Sequence, residues 1–237
     1  MVNRKLVNHM EKCDFLYRLI DFPDQVEFSR NNQIVIDLAQ DQSPFIRSLV
    51  AKALFEYPNE SSKSILLELS KDKNDLVRVE AADSLKAYVD DVVYTRLLYM
   101  AKQDQYYITR AYAVCSLSFI HFGLESRSLS TFVEERLSQE RHTINKIMCA
   151  EALYRLGQDS ALIQLIGYFK SRNYKNQCAV IHSLNDVLSK KNYGVINDFV
   201  RDLRIKDLPI SVRSTLEKLQ DDLRELDDMD LQSRVVS

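Results

Sequence analysis

The side chains able to do chemistry are few and far apart. His9, His121, His142 and His182 supply the imidazoles, and Cys13, Cys115, Cys149 and Cys178 the thiols, which elsewhere serve as general base, nucleophile or zinc ligand. Their spacing supports none of these roles. There is no CxxC or Cys/His spacing, no HExxH, no GxSxG and no Gly-rich phosphate loop. The cysteines therefore read as reduced thiols, mostly small buried hydrophobes, and no catalytic, cofactor-binding or metal-ligating residue is assigned. A second set recurs in order: Arg47, Arg78, Arg110 and Lys146 each follow an acid, Asp41, Asp72, Asp104 and Glu140, by 6 residues. Such a row could hold phosphates. The better reading is structural, because the cation position projects only about 20° from the centre of an apolar helix face, where it can hydrogen-bond a turn carboxylate between adjacent segments.

The elements that carry these residues repeat. Asp41 to Tyr57, DQSPFIRSLVAKALFEY, returns as Asp72 to Tyr88, DKNDLVRVEAADSLKAY, and recurs with decay around Leu117, Leu153 and Leu184. The anchoring residues Leu54, Leu85, Leu117, Leu153 and Leu184 are 31, 32, 36 and 31 residues apart, a period that indicates stacked supersecondary units. Each unit reads as helix A, a short polar turn and helix B. The A helices are expected over 33–40, 61–71, 92–102, 129–139, 161–170 and 193–204, after a first amphipathic helix over 4–20. A second helix is expected to begin after Asp24, with a break near Asn31-Asn32. The turn acids suit a helix N-terminus, where they can accept orphan backbone N–H groups.

Projecting helix B at about 100° per residue from the anchoring leucine separates its faces. Positions −4, −3, 0 and +3 are nearly all apolar and form the expected core stripe, from Val50, Ala51, Leu54 and Tyr57 to Val180, Ile181, Leu184 and Val187. Position −1 is always small: Ala53, Ser84, Ser116, Ala152 and Ser183. Positions −5, −2 and +2 point the opposite way. A solvated face should be polar there, yet Tyr112, Cys115, Phe119 and Met148 are apolar or aromatic, flanked by Glu80, Asp83, Glu151 and Arg155. Aromatic anchors rimmed by charge are the composition of a protein-binding surface. The other reading is that the longer spacing beside the third unit rotates it and buries these side chains.

The D…[VI]-R-x-x-[AV]-A-x-[AS]-L pattern resembles the HEAT-repeat family, in particular the short bacterial HEAT-like repeats also found in phycobilin lyases. The resemblance is strongest over 33–90 and weakest over 159–220, where Gln177 replaces the arginine. It implies an all-α, right-handed α-solenoid of about six helix-turn-helix repeats, with the −5, −2, +2 stripe on its concave surface. It also implies a protein-binding scaffold, adaptor or inhibitor working without catalysis or cofactor. Two other classes stay open through the same resemblance: a phycobilin-lyase-like enzyme or chaperone, and a DNA-binding protein of the glycosylase type. Against nucleic acid stand the lack of Trp, an acidic inner face in the first half and dispersed basic residues. The one basic excess, from Lys170 to Lys206, lies mostly in turns and the last A helix.

With only 4 Gly and 4 Pro, the chain has too few breakers for a many-turned β fold. A formal charge of −2 gives no general attraction to nucleic acid or anionic membrane. The N-terminus lacks a signal-peptide apolar region and no run is long enough to span a membrane, so a cytoplasmic monomer is expected. The reading divides the chain into a helical cap over 1–32, a repeat array over 33–220 and an acidic tail over 221–237 that stops packing beyond about Leu226.

Overall fold

Apolar stripes and short polar turns fold the chain into helices joined by tight connections, with no strand among the described residues. The computed structural model describes residues 8–25, 28–120 and 125–235, with side chains at all of these except 29–31, 125, 126 and 229–235. The expected helix start at Arg4, together with Leu6 and His121, lies outside the described residues.

The chain divides into two compact units, Met1–Glu125 and Ser126–Ser237. The boundary falls inside the stretch read as one array. In the first unit, α1 (His9–Asp21) precedes three A/B pairs: α2 (Phe28–Leu38) with α3 (Pro44–Ala53), α4 (Glu60–Leu69) with α5 (Asp75–Ser84), and α6 (Asp91–Gln103) with α7 (Tyr107–Ile120). The B helices form a row in which α1 packs on α3, α3 on α5 and α5 on α7. The second unit holds α8 (Glu125–Gln139), α9 (Thr143–Arg155), α10 (Ser160–Gly167), α11 (Tyr174–Val187), α12 (Tyr193–Asp202) and α13 (Ile210–Val235). Its row runs α9, α11, α13. The fold class is thus the expected one: all-α, with consecutive helix pairs stacked as in an α-solenoid.

The core stripe is where the projection puts it. Val50, Ala51, Leu54, Ala81, Ala82, Leu85, Ala113, Leu117, Ala150 and Leu184 are fully buried, and the five small residues at position −1 are buried beside them. From the A side, Val35, Leu66, Leu97, Leu129, Leu165 and Ile196 close the core. In the second unit one continuous apolar cluster joins Ile147, Leu165, Ile181, Leu184, Ile196, Val212 and Leu219.

Three features differ from the sequence reading. First, α2 runs unbroken through Asn31-Asn32. Second, α3 and α5 end early and tighten into 3-10 turns over Leu54–Glu56 and Leu85–Ala87. Third, α13 runs without a break from Ile210 to Val235, across the expected division at 221; Leu223 within it is buried, in keeping with packing as far as about Leu226. By contrast, α9 stops regularly at Gly157. Its φ of 94° is the left-handed conformation that ends a helix, and the N–H of Gln158 returns to the carbonyl of Leu153 at 3.0 Å.

Candidate binding face

The row of basic and acidic residues is a set of clamps between successive B helices of the first unit. The Arg47 guanidinium donates through Nε and Nη2 to both Asp72 carboxylate oxygens, at 2.7 and 2.9 Å, and through Nη1 to the carbonyl of Asp41 at 2.6 Å. Arg78 repeats this on Asp104 at 2.7 and 2.9 Å, and on the carbonyl of Asp72 at 3.0 Å. Each aspartate also accepts the backbone N–H two residues on, from Ser43, Asn74 and Tyr106, so it fixes the turn and the adjacent repeat together. Burial would raise the Asp72 carboxyl, but the bonds from Arg47 and the Asn74 N–H overcome it and hold the group below its ordinary value. These guanidinium groups are committed to the fold, not offered to phosphate.

The same clamp shows what α1 is. Lys12 bonds Asp41, and Leu19, seven residues later, is fully buried, as Leu54 is seven residues after Arg47. At its other end the carbonyl of Leu19 accepts from the Tyr57 hydroxyl at 3.1 Å. The first helix is a degenerate B helix with lysine at the arginine position. The Lys12–Leu19 spacing could have revealed it.

On the outward side of this row, away from the A helices, lies the face expected to bind. Glu80 and Asp83 sit one turn apart on α5, and both are half-buried or at the edge of exposure. Tyr112 is half-buried on α7, and Phe119 is 41% exposed. Cys115 is covered, at 8% exposure, so it supports this surface from below and does not form it. Two residues were missed. Lys86 donates to Asp83 at 2.7 Å, and its ammonium lies 5.3 Å from the Phe55 ring centroid and 5.4 Å from that of Phe119. Phe55 is 38% exposed. Both residues directly follow an anchoring leucine, in the 3-10 turns, where each residue advances by about 120° and not 100°. That tighter winding swings them towards the outward face, which a uniform helical projection does not follow.

Glu80 has no hydrogen-bond or ion-pair partner among the described residues. Burial, and secondarily the Asp83 carboxylate, push it above its ordinary value against the opposing pull of Lys52 and Lys86. The face therefore combines exposed aromatic rings, a cation already seated on them and a half-buried carboxylate that no described residue bonds directly.

The remaining expected residues belong to the second unit and play different parts there. Met148 is half-buried. Glu151 is only 1% exposed and accepts from Arg155 at 3.2 and 3.1 Å, while Arg155 also donates to the carbonyl of Asp186 at 2.8 Å. An acid so enclosed is no charged rim: Glu151 anchors Arg155, and Arg155 in turn satisfies the C-terminal end of α11. Nearby, Asn192 donates to the Tyr154 hydroxyl at 3.0 Å and to the carbonyl of Val187 at 2.8 Å. Burial pushes the Cys149 thiol up to about 12, which keeps it protonated and unreactive at neutral pH. No described helix is long and apolar enough to cross a membrane.

Residues 32–118 match the family model for HEAT repeats. No curated protein matches the chain.

Proposed function

We infer, from the premise that the chain belongs to the HEAT-repeat family through residues 32–118, that it is a non-catalytic protein-binding scaffold, adaptor or inhibitor. Its working surface is the outward face of α3, α5 and α7. The observation that carries this reading is the pair of exposed rings, Phe55 and Phe119, flanking the Lys86 ammonium. Large aromatic side chains left at a surface and ringed by charge are the usual anchors of a protein interface. A row of B helices offers such anchors at intervals, so affinity can come from several modest contacts without a deep pocket.

Tagged wild-type chain and the Tyr112→Ala/Phe119→Ala double variant, each passed through cell lysate, provide the test. Helicity should be equal in the two, and a protein retained by the wild type should be absent from the variant. Retention at equal level by both would overturn the assignment of this face. Recovery of nucleic acid instead, with a steep loss as salt rises, would overturn the protein-binding reading itself.

A further inference from the structure

We propose that the occupant of this face is an extended, arginine-bearing segment of a partner protein, with an arginine paired to Glu80 and an apolar side chain two residues along resting on Phe119 and Tyr112. The inference rests on the protein-binding reading above and specifies the chemistry of the partner.

Two features converge on a guanidinium. Glu80 is a half-buried carboxylate with no donor to satisfy it among the described residues; Lys52 and Lys86 pull on it only through space, and Asp83 one turn away is already bonded to Lys86. Burying a charge without a counter-ion is costly, so a cation arriving from outside recovers an interaction the fold leaves unmade. The aromatic rings already accept a cation of the chain's own: Lys86 sits within 5.4 Å of both ring centroids while bonding Asp83. This surface therefore attracts positive charge, and Lys86 occupies one of its positions while Glu80 is the other. Arginine suits the second place better than lysine because its planar fork can take a carboxylate with two bonds and stack on a ring at the same time.

The dimensions favour an extended chain. Three helices packed side by side at about 10 Å intervals span about 20 Å from α3 to α7, which an extended peptide covers in about six residues. In such a peptide alternate side chains face one way. A segment with arginine and leucine two residues apart can therefore present the arginine to Glu80 and the leucine to the rings from the same side.

The probe is a fluorescein-labelled peptide about ten residues long, so as to overrun that span, with arginine and leucine taking turns at every second position and serine between them. It is compared with the same peptide carrying citrulline, then glutamate, at the arginine positions. Citrulline keeps the shape and removes the charge. Anisotropy titrations against the full chain should show the arginine peptide binding at least about tenfold more tightly than the citrulline form, with the glutamate form weakest. Glu80→Gln should reduce that preference to near unity, and Glu80→Lys should reverse it in favour of the glutamate peptide. A melting midpoint for Glu80→Gln no lower than that of the wild type would exclude misfolding as the cause.

Equal binding of the arginine and citrulline peptides, no binding of either, or a preference unaltered in Glu80→Lys would overturn the proposal. So would self-association of the wild type that Phe119→Ala abolishes, because the occupant would then be a second copy. If a cell protein is still captured in a Phe119-dependent manner while the arginine preference is absent, only this inference falls. If both are absent, the protein-binding reading falls with it.

Discussion

The two units stack their B helices on the same apolar plan but tie them together with different polar chemistry. In the first unit Arg47 reaches Asp72 and Arg78 reaches Asp104, each through two bonds. In the second, Ser171 stands at the aspartate position and Gln177 at the arginine position. There the bond reduces to the Gln177 amide donating to the carbonyl of Phe169 at 3.3 Å. Polar cohesion in that unit comes instead from Glu151 with Arg155 and from Asn192. Yet Leu85 and Leu184 are both fully buried, and Ser84 and Ser183 beside them are both covered. The apolar stripe with its small neighbour is what makes the stack, and the clamp adds cohesion and gives the repeat its recognisable sequence. The residues that match the HEAT-repeat family model, 32–118, include the aspartate-arginine positions Asp41–Arg47, Asp72–Arg78 and Asp104–Arg110.

The largest effects should be equal in the two units. Leu85→Ala and Leu184→Ala each remove a fully buried side chain and leave a cavity, so each should cost about 2–5 kcal/mol in urea unfolding. A loss at Leu184 well below that range would show that the second unit does not depend on its stripe, and the shared-plan comparison would fail. The clamp should separate them. Arg47→Met strands a half-buried Asp72 carboxylate and should cost about 2–3 kcal/mol, somewhat less than the about 3–5 kcal/mol for breaking a fully enclosed pair because the Asn74 N–H still serves the acid. Gln177→Met breaks one neutral bond and should cost about 1 kcal/mol or less.

Acid sharpens the same contrast. A carboxyl whose value is lowered on folding contributes stability that is complete above its unfolded value, 3.8 for Asp72, and is lost as pH falls through the lower folded value. The wild type should lose this contribution on titration below that point. Asp72→Asn should start less stable at neutral pH and lose less with acid, as followed by circular dichroism.

Most of the fold was legible because its two signals are periodic. The anchoring leucines, the small residue before each and the arginine-aspartate spacing of 6 residues all follow from sequence, and the placement of Arg47 on Asp72 follows from them. The face was legible only in part. Glu80, Asp83, Tyr112 and Phe119 lie where uniform projection puts them. Phe55 and Lys86 do not, because the helices tighten after Ala53 and Ser84. Glu151 was misread for another reason: periodicity tells which way a residue points, not whether a neighbour such as Arg155 folds over it. The division of the chain at residue 125 leaves no mark in the repeat period beyond the 36-residue interval around it.

The smallest predicted effect bears most directly on function, and it sets one acid of each unit against the other. Glu151 is enclosed and paired, so Glu151→Gln should weaken the charged bond to Arg155 and cost about 1 kcal/mol. Glu80 is half-buried and has no such partner. A carboxyl raised on folding holds its contribution in full below its unfolded value, 4.5, and loses it as pH rises through the folded value, so at neutral pH the ionised group weighs against the fold. Glu80→Gln should therefore raise stability at pH 7 by about 0.5 kcal/mol, and the gain should vanish on titration below 4.5. Paired urea curves of wild type and variant at the two pH values measure it. A gain in stability accompanied by loss of the arginine-peptide preference is the pattern of a residue kept for binding at the expense of the fold. If instead Glu80→Gln destabilises at pH 7, the carboxylate is satisfied within the chain, and the reason to look for its counter-ion on a partner disappears.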